Sequence, residues 1–247
     1  MAAHGSDFLE AQRAFFEQAD EAHFRWQTEN PLIAATEREL LDGFPIAVGT
    51  VLEVGCGEGG NLVNLRAQSV GEATVVGIDL FERKVAFARA NVAGVRFVCG
   101  DALALPFKDR AFDAVLCRDV LHHLDEREAA LGELGRVCKQ GGTIWILEPN
   151  GDNPLMRLLA LLRPHERGLL RNSATSLGML VSGQFAAVRI ESRQPMPLYR
   201  VLLHHRMGLP GLGRSKALSK VAHCWDMAVA KLLPPKWWGY LLIRASP

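Results

Sequence analysis

The chain has 247 residues, of which 49% are hydrophobic and 22% are charged, a composition typical of a globular protein with a sizeable core. No uncharged apolar run approaches the ~18 residues of a spanning helix, and the first residues lack the basic and apolar regions of a signal peptide, so we expect a cytoplasmic protein. The net charge is only +1, which excludes a strongly basic or acidic chain as a whole.

The first 48 residues predict helices. Apolar side chains recur three or four positions apart from Phe8 to Trp26, the stripe of an amphipathic helix. Asn30-Pro31 interrupts the stripe, and residues 32–41 predict a second helix ending near Gly43. We interpret residues 1–48 as a helical N-terminal cover.

From residue 50 onward, short apolar runs alternate with helical stretches. Buried strands joined by helices predict a parallel sheet covered on both faces. The predicted strands are 51–54, 74–78, 95–98, 114–117 and 143–147. The predicted helices between them are 61–68, 81–92 and 125–139.

The last hundred residues are less regular. Residues 155–162 predict an apolar helix, and residues 185–192 and 240–245 predict two strands that could pair at the sheet edge. Residues 193–239 lie between those strands and include a predicted helix at 215–233. The sequence thus predicts a Rossmann-like, doubly wound α/β fold in residues 49–247: a mostly parallel seven-stranded sheet with a helical insertion, or cap, before its last strand.

A glycine-rich loop, "VGCGEGG", follows the first predicted strand. Gly55, Gly57 and Gly60 fit the dinucleotide pattern G-x-G-x-x-G, whereas Gly55, Gly57 and Gly59 fit the G-x-G-x-G loop of S-adenosylmethionine enzymes. A helix N-terminus behind such a loop suits phosphate or carboxylate groups, so the loop alone indicates an adenosine-containing cofactor of either kind.

Acidic residues around the loop favour a cationic ligand. Glu53 lies two positions before the first glycine and Glu58 lies within the loop, where both would repel a pyrophosphate. Asp79 ends the second predicted strand, where an acid accepts hydrogen bonds from ribose hydroxyls. Asp101 ends the third, although either aspartate could instead be a helix cap or turn former. S-adenosylmethionine, with its ammonium and sulfonium groups, fits these acids better than a dinucleotide does.

The motifs "VLEVGCGEGG", "VVGIDL", "FVCGDALALPFKDRAFDAVLCRDVLHHL" and "GGTIWILEPN" resemble those of class I S-adenosylmethionine-dependent methyltransferases, in particular the small-molecule and quinone methyltransferases. The resemblance covers about residues 48–150. It implies S-adenosylmethionine as cofactor and S-adenosylhomocysteine as product. The resemblance also implies the following cofactor contacts: Gly55, Cys56 and Gly57 beneath the methionine portion, Glu53 near its amino group, Asp79 on the ribose, Leu80 on the adenine, Asp101 and Ala102 at the adenine edge, and backbone at Cys117 and Arg118 near the methionine end.

Two residues are candidates for a catalytic role. His123 could take a proton from the acceptor, or it could only shape the pocket. Glu148 follows the fifth predicted strand at the ligand-binding edge and could orient the acceptor, or it could be a paired carboxylate. Arg118-Asp119 departs from the small or neutral residues that the resemblance implies at these positions, and either an ion pair or an acceptor-facing charge would explain the departure.

No metal site is predicted. The five cysteines contain no C-x-x-C pair, which favours reduced thiols over a disulfide framework or zinc. His204 and His205 are adjacent but lack an accompanying ligand set, so we interpret them as a solvated or cap-facing pair.

The basic last third bears on the partner. Residues 151–247 hold fourteen basic and four acidic side chains, whereas residues 1–48 hold three and nine. The two segments could pair with each other, or the basic one could meet an acidic or anionic surface. Its basic residues alternate with leucines rather than with stacking aromatics, which disfavours nucleic acid.

The function predicted from the sequence is methyl transfer from S-adenosylmethionine to a small, hydrophobic acceptor, with or without peripheral membrane contact through the basic, leucine-rich last third. The alternatives are a nicotinamide-dependent Rossmann oxidoreductase and a S-adenosylmethionine-binding protein with a non-methylating role.

Overall fold

The computed structural model describes residues 16–47, 49–67, 71–206 and 208–247. Its centre is a seven-stranded sheet in the order β3-β2-β1-β4-β5-β7-β6. Neighbours among β1 to β5 are parallel, and β7 runs antiparallel to both β5 and β6. The predicted Rossmann-like fold and the pairing of the last two strands are confirmed. The strands are β1 (Thr50–Val54), β2 (Thr74–Asp79), β3 (Arg96–Cys99), β4 (Phe112–Arg118), β5 (Cys138–Pro149), β6 (Ala187–Arg193) and β7 (Tyr240–Ser246).

Helices flank the sheet and connect its strands. They are α1 (Glu21–Glu29), α2 (Pro31–Leu40), α3 (Gly60–Arg66), α4 (Glu82–Asn91), α5 (Arg127–Val137), α6 (Pro154–Leu162), α7 (Ala174–Ser182), α8 (Leu198–Leu202) and α9 (Lys216–Leu232). Short 3-10 segments cover Leu121–His123, Pro164–Arg171, Pro210–Arg214 and Pro235–Trp237.

The N-terminal apolar stripe does not form one continuous helix. Phe8 to Phe15 lie outside the described residues, and 17–20 are not helical. α1 begins only after Asp20, whose side chain accepts a hydrogen bond from the His23 backbone N–H. An N-capping aspartate begins a helix, so it interrupts the predicted periodicity at this point.

The boundary between α5 and β5 also differs from the prediction. The predicted helix 125–139 ends at Val137, and β5 begins at Cys138, five residues before the predicted strand. Cys138 pairs with Phe112 on β4, and the register then shifts. Gly141 has a positive φ of 76°, which marks the irregularity inside this long strand.

α7 and the 3-10 segment before it have no counterpart in the prediction. α7 contains Ser, Thr and Gly, which are weak helix formers, so its propensity signal is low. A capping box compensates, because Ser173 and Ser176 exchange hydrogen bonds at its N-terminus.

Both faces of the sheet are buried. Along β1, Val51 packs into one apolar cluster, and Leu52 and Val54 pack into the other. All three side chains are essentially inaccessible to solvent, as expected for a parallel strand covered on both sides.

A third cluster joins segments from the two ends of the chain. Trp26 of α1 and Ile33 of α2 pack with Tyr199 of α8 and with Leu203, which directly follows α8. Ala222 of α9 belongs to the same cluster. The helices before β1 therefore share a core with those between β6 and β7. The division into cover, core and cap remains a prediction.

A buried ion-pair network crosses the same junction. Glu37 of α2 lies 2.5 Å from the Arg118 guanidinium at the end of β4 and 2.5 Å from that of Arg200 on α8. Burial alone would raise the pKa of Glu37, but the two guanidinium groups outweigh it and lower this pKa to about 2. Glu37 thus holds two buried cations in place.

We predict that Glu37→Gln destabilises the protein by about 3–5 kcal/mol, because it leaves two buried guanidinium groups without their carboxylate. The stability that ionised Glu37 contributes is present above pH 4.5 and is lost as the pH falls towards 2, since the pKa of Glu37 in the folded protein lies below its ordinary value. Urea unfolding at pH 7 and at successively lower pH measures both effects.

The matched control is Glu39→Gln, two residues along the same helix, whose side chain is exposed. It should change the free energy of unfolding by no more than about 0.5 kcal/mol. Equal effects of the two substitutions would contradict the role given to Glu37.

Candidate functional site

A cavity of about 700 Å³ opens at the carboxyl ends of β1, β2 and β4. This edge is where open α/β sheets bind their ligands, and the volume lies within the range of small-molecule sites. The glycine loop, the ends of β2 and β4, the Leu121–His123 turn, α6 and α8 all contribute to its wall.

Two different constraints explain the glycines of the loop: close packing against protein side chains and open space on the cavity side. A Cβ at Gly55 would come within 2.1 Å of the Val120 side chain, and one at Gly60 would collide with Gln27. Gly57 lines the cavity with φ at +51°, and a Cβ there would meet no protein atom closer than the Lys84 Nζ at 3.9 Å. Packing therefore explains Gly55 and Gly60, whereas Gly57 leaves room on the cavity side.

Asp79 ties the end of β2 to the glycine loop. Its two carboxylate oxygens accept hydrogen bonds from the backbone N–H groups of Gly57, at 2.8 Å, and Phe81, at 3.0 Å. Burial raises the pKa of Asp79, and those backbone hydrogen bonds oppose the effect. Each oxygen retains a further lone pair, so the carboxylate can accept from a ligand hydroxyl in the cavity that it lines.

The wall beyond Asp79 is partly apolar. Leu80 is 49% exposed despite its size, and it lines the cavity together with Asp101 and Ala102. The Asp101 carboxylate accepts a hydrogen bond from the Leu103 backbone N–H at 2.9 Å. Asp101 is thus a turn former and a wall residue at the same time.

Glu53 lies behind the wall rather than in it. Its side chain is fully buried, and one oxygen accepts a hydrogen bond from the Asn61 amide at 2.8 Å. The other oxygen has no hydrogen-bond partner among the described residues. Burial raises the pKa of Glu53 to about 8, and the Asn61 hydrogen bond only partly opposes the shift. The Arg118 guanidinium also opposes the shift, but it leaves this second oxygen without a donor.

Of the two explanations for the charge of Arg118, an ion pair or a charge that faces the acceptor, the structure shows a buried ion pair. Its guanidinium contacts Glu37 and Asp119 and donates to the Asn61 side-chain oxygen at 2.7 Å. The same Asn61 contacts Glu53, so one amide connects the buried acid to the buried arginine. Cys117, the preceding residue, packs into the second core cluster and is not part of the wall.

His122, not His123, is at the centre of the polar network beside the cavity. Its Nδ1 lies 2.6 Å from Glu148, and its Nε2 lies 3.2 Å from Glu166 in the Pro164–Arg171 segment. Burial opposes protonation of His122, but the two carboxylates outweigh it and raise the pKa of His122 to about 10. At neutral pH this residue is an imidazolium held between two acids.

Glu148 is enclosed by donors. Beyond His122, its oxygens accept from the backbone N–H groups of Val120 and Leu121 and from the Asn172 amide, at 2.8 to 3.0 Å. The residue is fully buried and does not line the cavity. Glu148 therefore fixes the Leu121–His123 turn and does not face an acceptor. Of the two alternatives for this residue, the geometry matches the paired carboxylate.

His123 does line the cavity. Burial lowers the pKa of His123 to about 3, and the positive charge of His122 adds to the effect. Its ring packs edge-on against Phe16 at 4.8 Å between centroids. At neutral pH it presents a neutral imidazole to the cavity.

The two histidine pairs differ in their metal-binding potential. His122, His123 and Glu166 place potential ligand atoms within 4.8 Å of one another, but both ring nitrogens of His122 are already hydrogen bonded to carboxylates, so we assign no metal here. His204 and His205 stack on each other at 4.5 Å between centroids and pack against Trp26 of α1.

Sequence reasoning missed Glu37, Glu166 and Arg200, since nothing local marks them as partners of residues so distant in the chain.

Comparison with known proteins identifies the domain. Residues 52–146 match a family described as a methyltransferase domain. The chain is 36% identical over 135 residues to a demethylmenaquinone methyltransferase of Roseiflexus castenholzii, covering 53% of this chain and 52% of that protein. It is 45% identical over 94 residues to a fatty-acid O-methyltransferase of Mycolicibacterium smegmatis, covering 37% of this chain and 34% of that protein.

Residues 52–146 thus match a methyltransferase domain, and the fold around them is that of the S-adenosylmethionine-dependent methyltransferases. The chain spans about half, or less, of the length of these curated relatives. The fold of a solved S-adenosylmethionine-dependent methyltransferase from Thermotoga maritima, described as a possible histamine N-methyltransferase, matches with a TM-score of 0.62 at 20% identity, covering 90% of this chain and 92% of that one. The cofactor named for this neighbour is S-adenosylmethionine.

We predict that Glu53→Gln stabilises the ligand-free methyltransferase domain at pH 8. The folded pKa of about 8 lies above the ordinary value of 4.5, so between these pH values the folded state keeps a proton that the unfolded state has lost, and stability falls progressively as the pH rises. Gln removes that loss, and the thermal unfolding midpoint should exceed that of the wild type by more at pH 8 than at pH 5.

Glu128→Gln, at an exposed position of α5, is the control and should show no such pH dependence. A constant difference between Glu53→Gln and the wild type across this range would refute the assignment of a raised pKa to Glu53.

Proposed function

We propose that the protein transfers a methyl group from S-adenosylmethionine to a small hydrophobic molecule. The observation that carries the proposal is the buried Glu53 carboxylate with an unpartnered oxygen behind a glycine loop, at the edge of the sheet where this family binds its cofactor. A pyrophosphate would add negative charge to this position, whereas the ammonium of S-adenosylmethionine supplies the missing cation.

The proposed cofactor contacts follow the resemblance and the cavity wall. Gly55, Cys56 and Gly57 would lie beneath the methionine portion, where the open space beside Gly57 supports a close approach. Asp79 would accept from the ribose hydroxyls. The remaining proposed contacts are Leu80 on the adenine, Asp101 and Ala102 at its edge, Glu53 towards the amino group, and backbone at Cys117 and Arg118 near the methionine end.

The protein's part in methyl transfer is positional. The cofactor supplies an already activated methyl group, so the chain has to hold acceptor and donor in line and exclude water. The ordered Leu121–His123 turn, fixed by Glu148, provides a rigid wall for that alignment.

An apolar acceptor fits the far side of the cavity. That side is formed by α6, α8 and the Pro164–Arg171 segment, which contribute the following apolar side chains: Leu155, Met156, Leu159, Leu169 and Val201. Glu166 and Arg200 line the same side, but they are paired with His122 and Glu37. The apolar part of the wall is suited to a hydrophobic ligand. The relatives named for a quinone and a fatty acid support the same class of acceptor.

The rival functions predict different ligands or products. The match to the methyltransferase family and the buried Glu53 both disfavour a nicotinamide-dependent oxidoreductase. A cofactor-binding protein without methyl transfer would share the site but leave an added acceptor unlabelled by tritiated S-adenosylmethionine.

We predict that S-adenosylhomocysteine binds with micromolar affinity and that Asp79→Ala weakens it at least about 50-fold, because the ribose hydroxyls and the loop both lose an acceptor. Isothermal titration calorimetry measures the affinity, and Asp109→Ala at an exposed position is the matched control. No heat with this ligand, together with a clear isotherm for a nicotinamide dinucleotide, would overturn the proposal.

We predict that His123 shapes the pocket instead of acting as a general base. The pKa of about 3 leaves its imidazole a weak proton acceptor. His123→Gln should therefore lower kcat/KM by less than about tenfold, whereas loss of a general base costs about 10²- to 10⁴-fold.

The pH dependence of kcat/KM provides the second readout. Neither wild type nor His123→Gln should show a limb near pH 6.5. A limb at this pH that disappears in the variant would establish His123 as a base.

A further inference from the structure

The longest described helix, α9, is attached to the protein along one narrow face. Ala222 is its buried residue, and it packs with Leu218 into the cluster shared with α1 and α2. Trp225 donates a hydrogen bond from its indole N–H to the Met196 carbonyl at 3.2 Å. The remaining surface of α9 faces outward.

A second apolar face of α9 is exposed to solvent. Val221 is 63% exposed, Trp225 is 44% exposed and Leu232 is 84% exposed. Ala217, Cys224 and Ala228 are also exposed and complete the row. Because these positions lie three or four residues apart, they form one stripe along the helix. We call this stripe of six residues the outer stripe.

Lysines follow one edge of the outer stripe. Lys216, Lys220 and Lys231 are exposed, and none of them forms an ion pair with any residue that the structure describes. The single acid of α9, Asp226, lies on the packed side near Tyr199, where burial raises the pKa of Asp226 to about 6. The outward surface of α9 is thus apolar along its centre and cationic along one side.

We propose that α9 docks the protein onto an anionic lipid bilayer through the outer stripe. An apolar face with tryptophan and flanking lysines is the pattern of helices that lie in the membrane interface. Within the described residues, no helix is long and apolar enough to cross a bilayer, so the contact is peripheral. Self-association through the same face about a two-fold axis would bring two sets of lysines together, which favours the lipid surface over a second copy.

The helix that encloses the cavity also exposes apolar side chains, which suits an acceptor held in a bilayer and rests on the proposed function. α6 lines the cavity with Leu155, Met156 and Leu159, and its other side exposes three further leucines. These are Leu158, Leu161 and Leu162, which are 54%, 55% and 69% exposed. A hydrophobic acceptor held in the bilayer would meet apolar surface on both sides of the helix that encloses the site.

Co-sedimentation with lipid vesicles tests the docking. The full chain should bind vesicles that contain about a third phosphatidylglycerol at least about tenfold more tightly than vesicles of phosphatidylcholine alone, since each lysine near an anionic surface adds to the affinity. Replacing all three lysines by glutamate should abolish that preference. The double variant Val221→Asp with Leu232→Asp should weaken binding to both kinds of vesicle at least about tenfold.

Met179→Asp is the matched control, because Met179 of α7 is 69% exposed and lies outside the outer stripe; it should bind vesicles like the wild type. The affinity for S-adenosylhomocysteine, measured on every variant, separates the two proposals. A wild type that binds this ligand but no vesicles would refute the docking and leave the proposed function intact. A concentration-dependent dimer that dissociates in the Val221→Asp, Leu232→Asp variant would assign the stripe to a second copy instead.

Discussion

A buried carboxylate with one unpartnered oxygen is the feature on which the proposed cofactor site depends. Glu53 is withdrawn from water beneath the glycine loop, with one oxygen bound to Asn61 and the other unpartnered. Burying an acid without an opposite charge is unfavourable and raises its pKa, so the ligand-free site is electrostatically incomplete. We propose that a cationic cofactor completes it, whereas an anionic one would add repulsion.

Two other buried acids, Glu37 and Glu148, have the charged partners that stabilise a buried carboxylate. Glu37 has two guanidinium partners, and Glu148 has an imidazolium and several N–H donors. Both keep a lowered pKa despite complete burial, because their partners outweigh the desolvation. Glu53 differs from them only in what surrounds it. The same residue type therefore serves structure at two positions, and at the third we propose that it interacts with a bound ligand.

The sequence predicted the sheet and the cofactor side of the site because those signals are local. The strand Thr50–Val54, the glycines after it and Asp79 all lie in short motifs whose spacing is set by backbone geometry. The roles of Glu37 and Arg200 could not be predicted in this way, since their ion pairs join residues that lie far apart along the chain. The environment of His123 depends in the same way on Glu166 and Glu148 acting through His122.

The most direct test of the central claim compares two ligands that differ in the amino-acid portion, which carries the ammonium group. S-adenosylhomocysteine carries the amino-acid portion, and 5′-methylthioadenosine lacks it. Calorimetry on the wild type and on Glu53→Gln should show that the wild type prefers S-adenosylhomocysteine strongly and that the variant loses most of this preference, by about tenfold or more, while binding 5′-methylthioadenosine unchanged. If Glu53→Gln weakened both ligands equally, or neither, the buried carboxylate would not be the group that recognises the cation.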